Sequence, residues 1–300
     1  MRQGGVTAAN CTCCVWEDFD GTMANIDRWK EWFQEYGDLI LQVHSTRDIQ
    51  RAKRDGQTGI ILGFQNVSAL GEDLGRVELF KELGVGIAQM AYNTRNPVGD
   101  GCYESEDGGL SDFGLDVVKE MNRVGMMCDL SHVGAKTSED VILASERPVC
   151  YSHCLPNRLK EHPRNKSDGQ LKFIADNDGF VGVTMFPPFL QKGSEATVDD
   201  YVEAIDYVID LVGEDRVGIG TDFTQGYGPD FFEWITHDKG TGRKLIDLGE
   251  IVYPEGMREI ADFPNLTAAM GRAGWSEAKI RKVMGENWVS VLGTVWGNGD

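Results

Sequence analysis

Two of the five histidines in this 300-residue chain close consecutive apolar runs: His132 in Asp129-Leu130-Ser131-His132 and His153 in Tyr151-Ser152-His153. They stand 21 residues apart, the length of one strand–helix repeat. Adjacent parallel strands would therefore aim both imidazoles into one cavity. Two neutral imidazoles, an oxygen ligand and an open water position make a catalytic zinc site, where the metal lowers the pKa of its water to about 7 and polarises a carbonyl. A single strand-end histidine is more commonly a hydrogen-bonded structural residue; the pair in register is what points to ligation. Asp222 closes Val217-Gly218-Ile219-Gly220-Thr221-Asp222, where its carboxylate could be a general base, a metal ligand or the N-cap of the next turn. Arg164 follows His153 by eleven residues, and its planar fork could hold a substrate carboxylate or pair at the surface. Gln65, Asn66, Tyr92 and Asn93 occupy further strand ends.

These placements require strands. Apolar runs at Val6–Val15, Gly59–Phe64, Val85–Tyr92, Met126–Ser131, Val149–Ser152, Phe180–Phe186 and Val217–Thr221 are mostly continuous rather than alternating, as parallel strands covered on both faces must be. Between them, the pattern over Asp112–Val124 runs into the stop signal Gly125. In Val198–Val212, the apolar residues Val198, Tyr201, Ile205, Val208 and Val212 recur at helical steps behind a capping box, Thr197-x-x-Asp200. A last helix is predicted near 276–292, with Ile280, Val283, Met284 and Val291 on one stripe. The alternation predicts an α/β fold. Seven strands, and no Gly-rich phosphate loop after the first, favour a (β/α)8 TIM barrel over an open doubly wound sheet. Met1-Arg2-Gln3-Gly4-Gly5-Val6 reads as a helix end, a stop and the next strand, so the first βα unit is expected to be missing from this chain. A single barrel domain over 1–300 is expected, with 226–262 as an excursion over one barrel mouth.

Twenty-nine Lys and Arg stand against 48 Asp and Glu, a net charge of −19 that repels nucleic acid and anionic membrane. The densest basic stretch, Arg158–Lys166, is short and interrupted. No apolar run reaches the ~18 residues of a membrane span, and no signal-peptide core follows the first residues, so a cytoplasmic protein is expected. The seven cysteines form neither a zinc ribbon nor a redox CxxC and are expected to be reduced thiols.

The segments Gly84-Val85-Gly86, Gly109-Leu110-Ser111-Asp112-Phe113-Gly114, Glu120 to His132, Ser152-His153, Arg164-Asn165 and Gly218 to Asp222 resemble, in order and spacing, the membrane (renal) dipeptidase family. The resemblance runs from about Gly59 to Asp222, and the C-terminal helix also fits. It implies a (β/α)8 barrel of the amidohydrolase superfamily with a two-zinc centre that cleaves dipeptides. It matches His132 and His153 to the imidazoles of the second zinc, Arg164 to the arginine on the substrate carboxylate, and Asp222 to the aspartate beside the metal-bound water. Three features depart from the family. No His-x-Asp pair for the first zinc lies near the start, Gln65 stands at the metal-bridging glutamate, and Tyr92 stands at the substrate-contacting histidine. A neutral amide binds zinc weakly and supplies no charge to hold two cations together.

The expectation is therefore one zinc ion on His132 and His153, completed by Gln65 or Asp222 and water. Asp222 handles the proton, and Arg164, Tyr92 and Asn93 bind the substrate. The expected activity is metal-dependent hydrolysis of a dipeptide or similar small N-acyl amino acid. Two readings compete with it. One is a non-hydrolytic acid–base enzyme, for elimination or epimerisation, using His132, His153, Asp222 and Tyr92. The other is a degenerate protein that holds a small carboxylate on Arg164 without turnover. The resemblance also implies a homodimer.

Overall fold

Each of the seven apolar runs contains a strand in the computed structural model, which describes residues 1–297. The chain folds as two compact units, one formed by Met1–Cys150 with the chain from Val289 on, the other by Tyr151–Trp288.

In the first unit β1 (Ala8–Cys14), α1 (Phe19–Glu35), β2 (Ile40–Gln42), α2 (Thr46–Asp55), β3 (Thr58–Phe64), α3 (Gly75–Glu82), β4 (Val85–Gln89), α4 (Asp112–Val124), β5 (Met127–Asp129) and α5 (Ala135–Ala144) alternate along the chain. All pairings are parallel. β3 is the hub: its seven residues are all buried, and β1, β2 and β4 each pair with it. β2 has no counterpart among the predicted strands. Its three residues are only half-buried, too short a run to leave a sequence pattern, and Gly59 and Ile60 pair with it as well as with β1. α4 matches its predicted span. Ser111 caps its start by accepting from the Gly114 N–H at 2.9 Å. At its end Gly125 takes the left-handed φ of 73° that a side chain would resist.

In the second unit β6 (Cys150–Cys154) leads into α6 (Asp168–Asp176), β7 (Phe180–Val183), α7 (Val198–Val212), β8 (Val217–Ile219), α8 (Pro229–Ile235), α9 (Phe263–Arg272) and α10 (Glu277–Arg281). β7 and β8 pair in parallel from Val181↔Val217 onward. The predicted capping box is present on α7. The Thr197 N–H donates to Asp200 Oδ2 at 2.8 Å, and the Asp200 N–H donates to Thr197 Oγ1 at 3.3 Å. The segment 226–262 carries α8 and two 3-10 turns, Asp238–Gly240 and Ile260–Asp262.

The last helix differs from its prediction. It is broken after α10 by a π turn at Lys282–Glu286 and resumes as α11 (Asn287–Trp296). Gly285 leaves helical backbone values there, and the Asn287 side chain beyond it donates to the carbonyls of Glu214 and Val217 at 2.7 and 2.8 Å. Tertiary hydrogen bonds have overridden a continuous helical stripe.

The basic stretch Arg158–Lys166 is no surface patch, because Arg164 and Lys166 are both fully buried and the Lys166 ammonium lies 4.9 Å from the centre of the Tyr151 ring. All seven cysteines are thiols, and burial pushes Cys11 and Cys14 up to about 11, far from thiolate reactivity. Among the described residues no helix is long and apolar enough to cross a membrane.

Candidate active site

In the first unit the exits of β4 and β5 converge. The Tyr92 ring stacks on the His132 imidazole with centroids 4.1 Å apart and planes 26° from parallel, and Trp16 meets Tyr92 edge-on at 5.0 Å. His132 is only 5% exposed. Its Nδ1 lies 2.7 Å from Asn93 Oδ1. An amide oxygen only accepts, so this contact puts the ring hydrogen on Nδ1 and the lone pair on Nε2, the tautomer that a metal ligand or proton acceptor needs.

Asn93 reaches this position with a left-handed φ of 62°, one of four positive values at non-glycine residues among the described ones. Such backbone is uncommon outside glycine and asparagine and concentrates at functional sites. Gln89, fully buried, accepts from the His132 N–H at 3.2 Å while its own amide donates to the carbonyls of Gln65 and Ala91. Asp129 accepts from the Ser131 N–H and hydroxyl at 3.1 and 2.7 Å, fixing the turn that carries His132. Gln65 Oε1 is buried with no hydrogen-bond partner, and Gln65 Nε2 reaches Thr12 Oγ1 at 3.4 Å.

In the second unit His153 is 8% exposed and its Nδ1 lies 2.7 Å from Ser152 Oγ. Arg164 is 1% exposed, which overturns the alternative of a surface ion pair. Its guanidinium sits 5.2 Å from the centre of the Phe189 ring, and Nη2 donates to the His153 carbonyl at 3.4 Å, so Arg164 and His153 are brought together. Gly220 approaches the same strand: a Cβ there would lie 2.0 Å from the Ser152 carbonyl oxygen and 3.1 Å from His153 Cα. The glycine in Gly218-Ile219-Gly220-Thr221-Asp222 is thus a requirement for close packing beside His153.

Asp222 lies three residues beyond β8, half-buried, with a left-handed φ of 57°. It does not cap a helix, since the next one, α8, starts at Pro229 behind Gly228. The site also uses residues with no sequence signal. Tyr253 donates to the Asp222 carbonyl at 2.9 Å. His162 Nδ1 accepts from the Arg164 N–H at 3.1 Å, and its ring lies 4.7 Å from Phe189. Both residues lie in irregular segments, where periodicity carries no information.

Burial, then the charges of Arg164 and Lys160, push the His162 imidazole down to about 4 from its ordinary 6.5. The folded protein therefore resists a proton that the unfolded chain accepts. The contribution of His162 is intact above about 6.5, is lost as the pH falls toward about 4 and levels off below. Urea midpoints measured between those limits are expected to fall less steeply for His162→Gln than for the parent; equal slopes would dismiss the effect.

The family resemblance implies a metal. Among the described residues no three His, Cys, Asp or Glu side chains converge as a metal cluster. The chain offers instead an imidazole in each unit with Nδ1 in a hydrogen bond, and the partnerless buried oxygen of Gln65. Imidazole nitrogen and amide oxygen are donor types that a borderline ion such as zinc accepts, and a neutral amide supplies no charge to hold two cations together.

The sequence pattern of the membrane dipeptidase family (peptidase family M19) matches residues 1–238. The chain is 30% identical over 274 residues to dipeptidase tcpJ of Claviceps purpurea (strain 20.1), covering 90% of this chain and 59% of that protein. It spans 59% to 66% of the length of three such curated dipeptidases. A crystal structure of an amidohydrolase from Pseudomonas aeruginosa is 63% identical and superposes with a TM-score of 0.98 over 99% of this chain and 91% of that one. A metallopeptidase from Rhodobacter sphaeroides, liganded with a phosphinate mimic of the dipeptide L-Ala-D-Ala, is 22% identical with a TM-score of 0.84, over 99% of this chain and 89% of that one. These likenesses show the fold, an α/β fold of the partial (β/α)8 TIM-barrel kind.

Proposed function

The chain belongs to the membrane dipeptidase family, and from that premise we propose that it is a metal-dependent hydrolase cleaving the amide bond of a dipeptide or similar small N-acyl amino acid. One observation supports this most: a fully buried guanidinium donates to the backbone of a candidate ligand histidine, Arg164 to His153. A buried cation placed there suits a substrate carboxylate, which it can hold bidentately.

In this reading His132 and His153 would hold zinc through Nε2, and Gln65 Oε1 would be a weak further donor. The bound ion would supply polarisation of the scissile carbonyl and a lowered pKa for water. Arg164 grips the terminal carboxylate and so orients the amide. The Asp222 carboxylate takes a proton from the attacking water and passes it to the departing amide nitrogen as the C–N bond breaks. Tyr92 forms an apolar wall beside His132, and Asn93, which the sequence placed among the substrate contacts, orients the imidazole. A charge of −19 fits small-molecule work rather than nucleic acid or anionic membrane.

The test is metal content per chain before and after mild chelation, paired with hydrolysis of L-Ala-D-Ala, the dipeptide whose mimic the Rhodobacter sphaeroides relative binds. About one zinc per chain, with activity lost on chelation and restored on refilling, is expected of a mononuclear site. No metal and no hydrolysis would move the reading to a metal-free acid–base enzyme or a carboxylate-binding protein.

A further inference from the structure

We propose that Tyr253 is a positioning residue for Asp222, a clamp supplied by the irregular segment after β8; the inference rests on the reading of Asp222 as the proton-handling group. Three hydrogen bonds meet at one phenol. Tyr253 Oη donates to the Asp222 carbonyl at 2.9 Å and accepts from the Thr224 N–H at 2.8 Å. The Thr224 hydroxyl, also at 2.8 Å, supplies the third partner. With its donor on Asp222, the hydroxyl has two lone pairs left, one for the amide and one for the Thr224 Oγ–H, so its capacity is filled.

The three contacts bracket the residue whose backbone most needs holding. Asp222 has a φ of 57°, a left-handed backbone uncommon outside glycine, which aspartate and asparagine adopt more often than other residues and which concentrates at functional sites. No strand bond serves it, because β8 has ended at Ile219 and α8 has not begun. The clamp is itself anchored. Tyr253 is 9% exposed, and its ring lies 4.7 Å from Phe223 and 6.3 Å from Phe186. Two residues on, the Glu255 N–H donates to the Ala196 carbonyl, and the Glu255 carbonyl accepts from the Val198 N–H, both at 2.8 Å. The Asp222 backbone, which carries the carboxylate, is thereby tied to the N-terminus of α7 through Tyr253-Pro254-Glu255. A base held in the left-handed region this way is directed before substrate arrives, and releasing it would misplace the carboxylate without altering the residues that bind substrate.

Tyr253→Phe keeps the ring and its packing and removes only the hydroxyl. In the metal-loaded protein it is expected to lower kcat for L-Ala-D-Ala about 10- to 100-fold with KM changed less than about twofold. In the same variant, hydrogen exchange at the Thr224 amide is expected to speed up about tenfold or more while amides in β8 keep their protection. The second readout does not depend on turnover. Unchanged Thr224 exchange would overturn the clamp, and so would faster exchange with kcat intact. A parent protein with no hydrolytic activity, but with Thr224 released in the variant, would instead overturn the reading of Asp222 as base while upholding the contact.

Discussion

If the proposed reading holds, replacing His132 by alanine is expected to strip the protein of metal and lower the proposed dipeptide hydrolysis by about 10³-fold or more. Losing an outer partner of a ligating histidine typically costs about 10–100-fold, and losing the ligand itself must cost more. The case for His132 rests on how its ring is held. Tyr92 covers one face, Asn93 Oδ1 takes the Nδ1 hydrogen, and Gln89 takes the backbone N–H.

The same substitution leaves Asn93 Oδ1 with the weak Cys102 thiol donor at 3.8 Å in place of the imidazole, a loss of about 1–3 kcal/mol. His132→Gln therefore belongs beside it, since a side-chain amide can still donate to Asn93. Metal analysis and calorimetry together separate the effects. Metal loss in both variants, with stability recovered in part by Gln, is the expected outcome. Unchanged metal content in His132→Ala would remove His132 from the ligand set.

The second large effect is expected at Arg164. A charge-assisted hydrogen bond contributes about 1.5–3 kcal/mol, so deleting the guanidinium should raise KM for a dipeptide about 10- to 150-fold. The corresponding dipeptide amide, which has no carboxylate to lose, should change less than about threefold. Arg164→Ala also empties buried space beside Phe189 and is expected to lower stability by about 2–4 kcal/mol, so the kinetics need a better-folded companion. Arg164→Lys is that companion. It keeps the charge and most of the stem but loses the planar fork, and should recover part of the KM defect. Equal KM effects on acid and amide would dismiss the carboxylate grip.

Much of this site could be read before any fold was known. Polar residues that interrupt apolar runs are conspicuous, because a buried parallel strand tolerates them only at its ends. That logic singled out His132, His153, Tyr92, Asn93 and Asp222 as candidates. It did not show what they touch: the Asn93 side chain, expected among the substrate contacts, meets the His132 ring through Oδ1. The surface alternative for Arg164 failed because a short, charged stretch with Glu161 and Pro163 looks solvated in one dimension, whereas its chain folds back so that Pro156 pairs with Lys166. The last helix was drawn straight because a helical stripe cannot show that Asn287 will be pulled toward Glu214 and Val217.

The sequence alone determined the periodic part of the protein. Continuous apolar runs specified the strands, helical spacing and caps specified α4 and α7, and the family followed from the order of its motifs, because hydrophobic period and capping chemistry are local properties. The tertiary structure decided orientation. Which nitrogen of His132 carries the hydrogen, whether Arg164 faces water or Phe189, and what holds Asp222 in left-handed backbone depend on partners up to 39 residues away in the chain. Hydrogen bonds and ring contacts of that kind leave no period behind; they exist only once the backbone has brought the groups to within about 3 Å for the first and about 5 Å for the second.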